Sequence, residues 1–328
     1  MTGEQESWTR ERRPKRYMAT GIAWCKGPAS APASTPGRAA AGIRRFATVD
    51  CRWRAVNMRP PACRSTASRN RPIGPMTLQV AHIYRYPVKG LTPEPLERVA
   101  LAPGQGIPQD RRFALAHGTT RFDPAAPEWM AKTNFLMLMR NERLARLRTK
   151  FDESTGILAI ARDGRVVARA NVLEAAGRTV IEQFFAAYMG QESRGAPRLV
   201  ESPGHMFSDT PRKVVSVIGL ASVRDLERVT RRPVDPRRFR ANIYFDGGTP
   251  WQEFTWVERT FRIGAVQLRT VKRIQRCAAT NVDPETAVRD LNIPLVLQEG
   301  FRHTDMGLYA EVLAGGDVAI GDTIEPPQ

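Results

Sequence analysis

In KRIQRCAATNVDPETA, residues 272–287, a strand-like run ends on Cys277, and the chain then leaves through the turn-prone residues Asn281, Val282, Asp283 and Pro284. Cys277 is the only cysteine after position 63, and Lys272, Arg273 and Arg276 lie within five residues of it. Nearby positive charge favours a thiolate, the form that acts as a nucleophile or soft-metal ligand. A lone cysteine is otherwise an inert small hydrophobe of the core, a role that needs no cations beside it.

Short strand-like runs extend outward from this stretch. LQVAHIYRYPV (78–88) alternates apolar and polar residues and ends near Pro87, and LERVALA (96–102), RRFALAH (111–117), LARLRTKFD (144–152), GILAIAR (156–162) and RVVARA (165–170) follow. DESTG and RDGR read as hairpin turns joining the last three. TVIEQFFAAYMG (179–190) has helical spacing and a Gly stop. Further on, KVVSVIGLASVRDLERVT (213–230) reads as a strand running into a helix, and ANIYFDG (241–247), RTFRIG (259–264) and AVQLRTVKR (265–273) as strands. A helix in LNIPLVLQEG (291–300), starting after Pro294, precedes a closing strand pair, LYAEVLAGG and DVAIGD. Many short strands with few helices predict a β-rich α+β fold built on a barrel or twisted antiparallel sheet. The polar stretch QESRGAP (191–197) marks a division near residue 195.

Residues 1–75 carry 15 Lys and Arg against 4 Asp and Glu, most of the chain's formal charge of +17. This segment includes PASAPASTPGRAAAG (28–42) and Cys25, Cys51 and Cys63, and it has neither a sustained period nor zinc-ligand spacing. It reads as a disordered basic extension with Met76 as the natural start, in preference to a targeting segment or a nucleic-acid-binding arm. Residues 76–328 carry 35 cationic against 29 acidic residues, so nucleic acid is not an expected partner. No run of eighteen apolar residues is present, which excludes a membrane-spanning helix. The cysteine usage fits a reducing, cytoplasmic compartment.

Five clusters offer anion-binding donors at strand ends or turns: Tyr86-Pro87-Val88-Lys89-Gly90, Asp110-Arg111-Arg112, Ser208-Asp209-Thr210, Arg237 to Asn242, and Arg276-Cys277. Lysine point charges, arginine forks and neutral hydroxyl or amide donors together suit a phosphorylated, heteroatom-rich ligand. Each cluster alone reads more simply as a solvated surface charge or a strand-end ion pair; together with an isolated thiol they become more specific. His82, His117, His205 and His303 have no ligand-like spacing.

In this order and at these separations, YPVKG, DRRF, FSDT, RRFRANIYFDG, RCAATNVDPET and the closing GLYAEVLAGGDVAIGD resemble a MOSC-domain protein preceded by the MOSC N-terminal β-barrel domain. The likeness covers 76–325, and the architecture is similar to the mitochondrial amidoxime reducing component and its bacterial relatives. With the basic extension over 1–75 set apart, it implies an N-terminal β-barrel-like domain over 76–195 and a MOSC β-barrel domain with peripheral helices over 196–328. It implies molybdenum cofactor, with Cys277 as the molybdenum ligand and catalytic centre. Lys89, Arg111, Ser208, Asp209, Thr210, Arg240 and Asn242 are the implied cofactor contacts, with Arg112, Arg238 and Asp283 as weaker candidates, Asp283 reading more simply as a turn former. Two departures are Gly90, where the family often has serine, and Gln275, which replaces a small polar residue.

The implied chemistry is oxygen-atom transfer that reduces small N-hydroxylated compounds. No iron–sulfur spacing, no dinucleotide-binding Gly motif and no pyridoxal-phosphate domain are evident, so an external electron donor is implied. The alternative is a non-catalytic cofactor carrier or sulfur-relay protein that uses the same cysteine.

Overall fold

A computed structural model describes residues 77–202 and 205–328. The expectations for residues 1–75 and for a start at Met76 lie outside the described residues.

The chain opens with β1 (Leu78–Arg85), β2 (Glu94–Leu96), β3 (Arg98–Leu101) and β4 (Phe113–Ala116). The meander β5 (Leu147–Asp152), β6 (Ile157–Arg162) and β7 (Arg165–Asn171) follows, then α1 (Ala175–Met189) and β8 (Arg198–Glu201). The second half runs through β9 (Val215–Gly219), α2 (Leu220–Thr230), β10 (Ile243–Asp246), β11 (Thr260–Ile263) and β12 (Val266–Gln275). It ends with α3 (Ile293–Phe301), β13 (Asp305–Ala314), β14 (Gly316–Ala319) and β15 (Thr323–Glu325).

Seven strands close a barrel in the order β10, β9, β13, β12, β11, β15, β1 and back to β10, with β2 added on β1. β9 and β10 are parallel, as the α2 crossover between them requires, and the other pairings are antiparallel. Closure removes the edges of this sheet. The inward residues Val80, Val217, Phe245, Ile263, Leu268 and Leu308 fill its interior. A second core lies beneath α2 and α3, where Leu226 and Leu297 pack with Phe239, Tyr244 and Met306. The remaining strands form the β5-β6-β7 sheet and the β3–β14 and β4–β8 ribbons. The β5-β6-β7 sheet and the β4–β8 ribbon share a third core with α1, whose Ile181, Phe185 and Met189 fall one turn apart on one face.

The chain crosses the expected division near residue 195 in both directions. β1 enters the C-terminal barrel from the start of the described chain, and β8, just beyond the division, pairs with β4. Elements differ from expectation where side-chain chemistry hides the period. α1 begins four residues before 179, in a turn with no apolar face residue, and α3 takes Pro294 into its first turn, where the missing N–H costs nothing. LARLRTKFD opens as a 3-10 turn (Glu142–Arg146) before β5. The two closing strands do not pair with each other: β13 lies between β12 and β9, and β14 pairs with β3.

Gly307 in β13 shows how tightly the barrel wall is drawn. Its φ is +73°, and a Cβ there would lie 2.5 Å from the Val217 carbonyl oxygen and 2.4 Å from Ile218 Cγ1. Gly307→Ala is expected to destabilise the fold by more than about 1 kcal/mol in chemical denaturation; an unchanged midpoint would show that the wall relaxes freely.

Candidate anion-binding site beside Cys277

The site is assembled from strand ends and the loops between them. After β1, Tyr86 N–H donates to Asp110 Oδ1 at 2.7 Å and Lys89 N–H to the Phe113 carbonyl at 2.8 Å, tying the YPVKG and DRRF stretches together. Gly90 sits at φ +83°, and a Cβ there would come within 3.0 Å of the Leu136 carbonyl, so the backbone itself asks for glycine. Arg111 and Arg240 are both left-handed, at φ 51° and 53°. Their guanidinium carbons stand 4.5 Å and 4.3 Å from the centre of the Tyr86 ring. Arg111 also donates to the Arg240 carbonyl at 2.7 Å and pairs with Asp110, while Arg240 donates to the Leu91 carbonyl at 2.7 Å.

β12 delivers Arg276 and Cys277 from the other side. Arg276 donates to the Met306 carbonyl at 2.9 Å and to the Phe239 carbonyl at 2.8 Å. Lys89 Nζ donates to the Phe207 carbonyl at 2.9 Å and pairs with Asp209 Oδ1 at 2.7 Å. The other oxygen of Asp209 takes Lys132 Nζ at 3.0 Å, and that ammonium lies 3.5 Å from Cys277 Sγ. Lys89, Arg111, Ser208, Asp209, Arg240, Asn242 and Arg276 line a cavity of about 100 Å³ with Tyr309. That is room for a compact anionic group rather than a whole drug-sized ligand.

Lys89, Lys132, Arg111, Arg240 and Arg276 are five cations set against two carboxylates, Asp110 and Asp209. Among the described residues, Arg240 and Arg276 have no carboxylate partner. Burial, partly offset by Tyr86, pushes the Arg240 guanidinium down to about 10, and burial also lowers Lys89 despite Asp209. Burial would raise Asp209, but the two ammonium groups hold its carboxyl well below the usual range. Burial likewise works against Lys132, yet the Asp209 carboxylate and the Cys277 sulfur lift it above its ordinary value. Burial drives the Tyr86 phenol up to about 12, so it faces both arginines as a neutral ring.

The remaining candidates have other positions. Thr210 is buried, and its carbonyl accepts from Ser208 Oγ at 2.6 Å. Asn242 lines the cavity while its amide oxygen accepts from Ser216 Oγ at 2.7 Å and from Ser216 N–H at 3.1 Å. Arg112 turns away to Glu201 at 2.6 Å. Buried Arg238 pairs with Asp283 at 2.9 Å and Asp290 at 2.7 Å, and Asp283 Oδ1 accepts from Thr286 N–H at 2.8 Å, so both brace the turn that follows Cys277. Gln275 is exposed and pairs with Asp305 across β12 and β13.

The cation that reaches the thiol is not one of its sequence neighbours. Arg273 lies over the Phe254 ring at 4.3 Å and Arg276 is held by carbonyls, whereas Lys132 arrives from a 3-10 turn (Lys132–Asn134) far away in the chain. Nothing in the spacing of WMAKTN marks it out.

A closed barrel with a cationic cavity and a thiol at one strand end is the class of protein that this geometry defines. Residues 204–325 match the MOSC domain family, so the chain carries a MOSC domain. Curated relatives include mitochondrial amidoxime reducing component 2 of Bos taurus, 30% identical over 34% of this chain and 36% of that protein. Mitochondrial amidoxime-reducing component 1 of Homo sapiens is 29% identical over 36% of this chain and 37% of its own length. The chain thus spans about a third of the length of the curated relatives it matches. Among solved structures, the YUAD protein from Bacillus subtilis aligns over 76% of this chain and 95% of its own, at 12% identity and a TM-score of 0.36. YiiM from Geobacillus stearothermophilus aligns over 35% and 54%, at 18% identity and a TM-score of 0.28. At those scores neither bears on the fold, which rests on its own hydrogen bonds.

The depressed Asp209 carboxyl carries a pH dependence. A carboxyl held below its unfolded value of about 3.9 stabilises the fold above that pH, and the contribution is lost as the pH falls through and beneath it. Asp209→Asn is therefore expected to flatten the acid limb of the stability profile below about pH 4. An acid limb identical to wild type would contradict the pairing.

Proposed function

We propose that this protein binds molybdenum cofactor and acts as an oxidoreductase on small N-hydroxylated compounds. The MOSC domain, with amidoxime reducing components among its relatives, supports a molybdenum-cofactor-associated function in general. The observation that carries the finer reading is the surplus of largely enclosed cations beside a lone thiol: partly buried Arg240 and Arg276 without carboxylates among the described residues, and Cys277 3.5 Å from Lys132. The donor set fits an anionic, phosphate-bearing group with a soft metal, since guanidinium and ammonium hold phosphate and a thiolate is a soft ligand.

In this reading Lys89, Arg111, Arg240 and Arg276 hold the anionic part of the cofactor, and Cys277 is the protein's ligand to molybdenum. When bound, the cofactor supplies two-electron redox chemistry. The chain supplies the rest. Ser208 and Asn242 offer neutral polar groups at the cavity wall, Asp209 holds Lys89 and Lys132 in place, and the Arg238–Asp283 pair keeps the turn after Cys277 from shifting. Electrons come from an external donor, and the compartment is the cytoplasm. Among the described residues, no helix is long and apolar enough to cross a membrane. The domain division near residue 195, with an N-terminal MOSC barrel domain before it, belongs to the same proposal.

The test is reduction of an amidoxime with an artificial low-potential donor by protein made in a host that synthesises the cofactor. Wild type is expected to turn over, and Cys277→Ala to lose at least about a hundred-fold in rate, within the range for loss of a catalytic group. Equal turnover by the two proteins would refute Cys277 as the catalytic centre.

A further inference from the structure

Trp129 is a large apolar side chain left 40% exposed, although Phe122, Phe135 and Phe207 nearby in the chain or fold are buried. Of the large apolar residues exposed among the described ones, it is the one hydrogen-bonded to a residue of the cationic cavity. Its indole Nε1–H donates to the Ser208 carbonyl at 3.4 Å, and Ser208 and its neighbour Asp209 both line that cavity. Three residues on, Lys132 holds the Asp209 carboxylate at 3.0 Å and stands 3.5 Å from Cys277 Sγ. One short segment, 129–132, therefore touches the Ser208-Asp209 pair at both ends and presents a ring at one end and an ammonium at the other.

An exposed indole beside a polar cavity has a specific physical use. A lone large apolar surface next to a site lined by Lys89, Arg111 and Arg240 gains nothing from those cations, which are turned to carbonyls, to Asp110 and Asp209, and to Tyr86. The long hydrogen bond to Ser208 favours one orientation of the ring, so somewhat less ordering is needed when a flat partner stacks on it. Ring stacking rewards a planar π-system over a saturated ring of similar size.

We infer that Trp129 is a specificity-determining residue that stacks on the planar aryl or heteroaryl group of the substrate, with the N-hydroxylated function directed toward Lys132 and Cys277. This inference rests on the proposed reductase reading and narrows its substrates to aromatic N-hydroxylated compounds. Trp129 does not itself line the cationic cavity; its link to that lining is the hydrogen bond to the Ser208 carbonyl.

The test is titration calorimetry on the full-length oxidised protein, with no donor present and molybdenum content measured on each preparation. The probes are benzamidoxime and its cyclohexyl counterpart, both neutral, one flat and one not. Wild type is expected to bind benzamidoxime more tightly than the cyclohexyl compound. Trp129→Ala is expected to weaken benzamidoxime by about five-fold while moving the cyclohexyl compound less than about two-fold, and Trp129→Phe to restore most of the preference. The inference is overturned if wild type does not prefer benzamidoxime, or if Trp129→Ala leaves both affinities unchanged or lowers both equally. Molybdenum missing from wild type overturns the cofactor reading instead, and the ring preference in the same titrations still stands or falls by its own result.

Discussion

Taking a guanidinium or ammonium group out of water costs several kcal/mol unless protein groups replace the lost hydration. The architecture around Cys277 is arranged to meet that requirement. Arg240 is met by the Leu91 carbonyl and the Tyr86 face, Arg276 by the Met306 and Phe239 carbonyls, and Arg111 by Asp110, the Arg240 carbonyl and the same tyrosine. Carbonyls and an aromatic ring solvate a cation without cancelling its charge. The cavity therefore keeps its positive potential while the fold remains stable, a combination that a set of matched salt bridges would not give.

The same demand explains where the backbone is unusual. Arg111 and Arg240, the two arginines stacked at Tyr86, both lie in the left-handed region, which costs of order 1 kcal/mol each for a residue with a side chain. Arg240 follows a 3-10 turn (Pro236–Phe239) whose cap, Asp235, accepts from Arg237 N–H at 2.8 Å, so the turn itself sets the direction of the next residue. Gly307 lies on the strand whose Met306 carbonyl holds Arg276, and barrel closure and cation placement are thus linked through one short stretch of β13.

Much of this is written locally in the sequence. Alternation in LQVAHIYR and the turn residues of DESTG and RDGR lead to β1 and to the β5-β6-β7 meander, because each depends on neighbours a few residues away. Ring closure is not local: β1 finds β10 and β15 across more than 150 residues, and no periodicity encodes that choice. At the site, the clusters around Lys89, Arg111, Asp209 and Arg240 announce themselves as charge at turns. Arg112 and Arg238 look the same in sequence, yet they point to Glu201 and to Asp283, because residue type does not say which way a side chain leaves its turn. Lys132 was hidden for the converse reason: it is an ordinary lysine in an irregular segment, and only the fold brings it to Cys277.

The central claim is that partly buried positive charge and a single thiol form one cofactor site. Elemental mass spectrometry tests it most directly, comparing molybdenum content in wild type, Cys277→Ala and the double variant Arg240→Met/Arg276→Met, each purified from a cofactor-producing host and checked for a native melting transition. The account predicts near-stoichiometric molybdenum in wild type and its loss from the folded variants. Molybdenum absent from folded wild type, or retained in full by the variants, would contradict it.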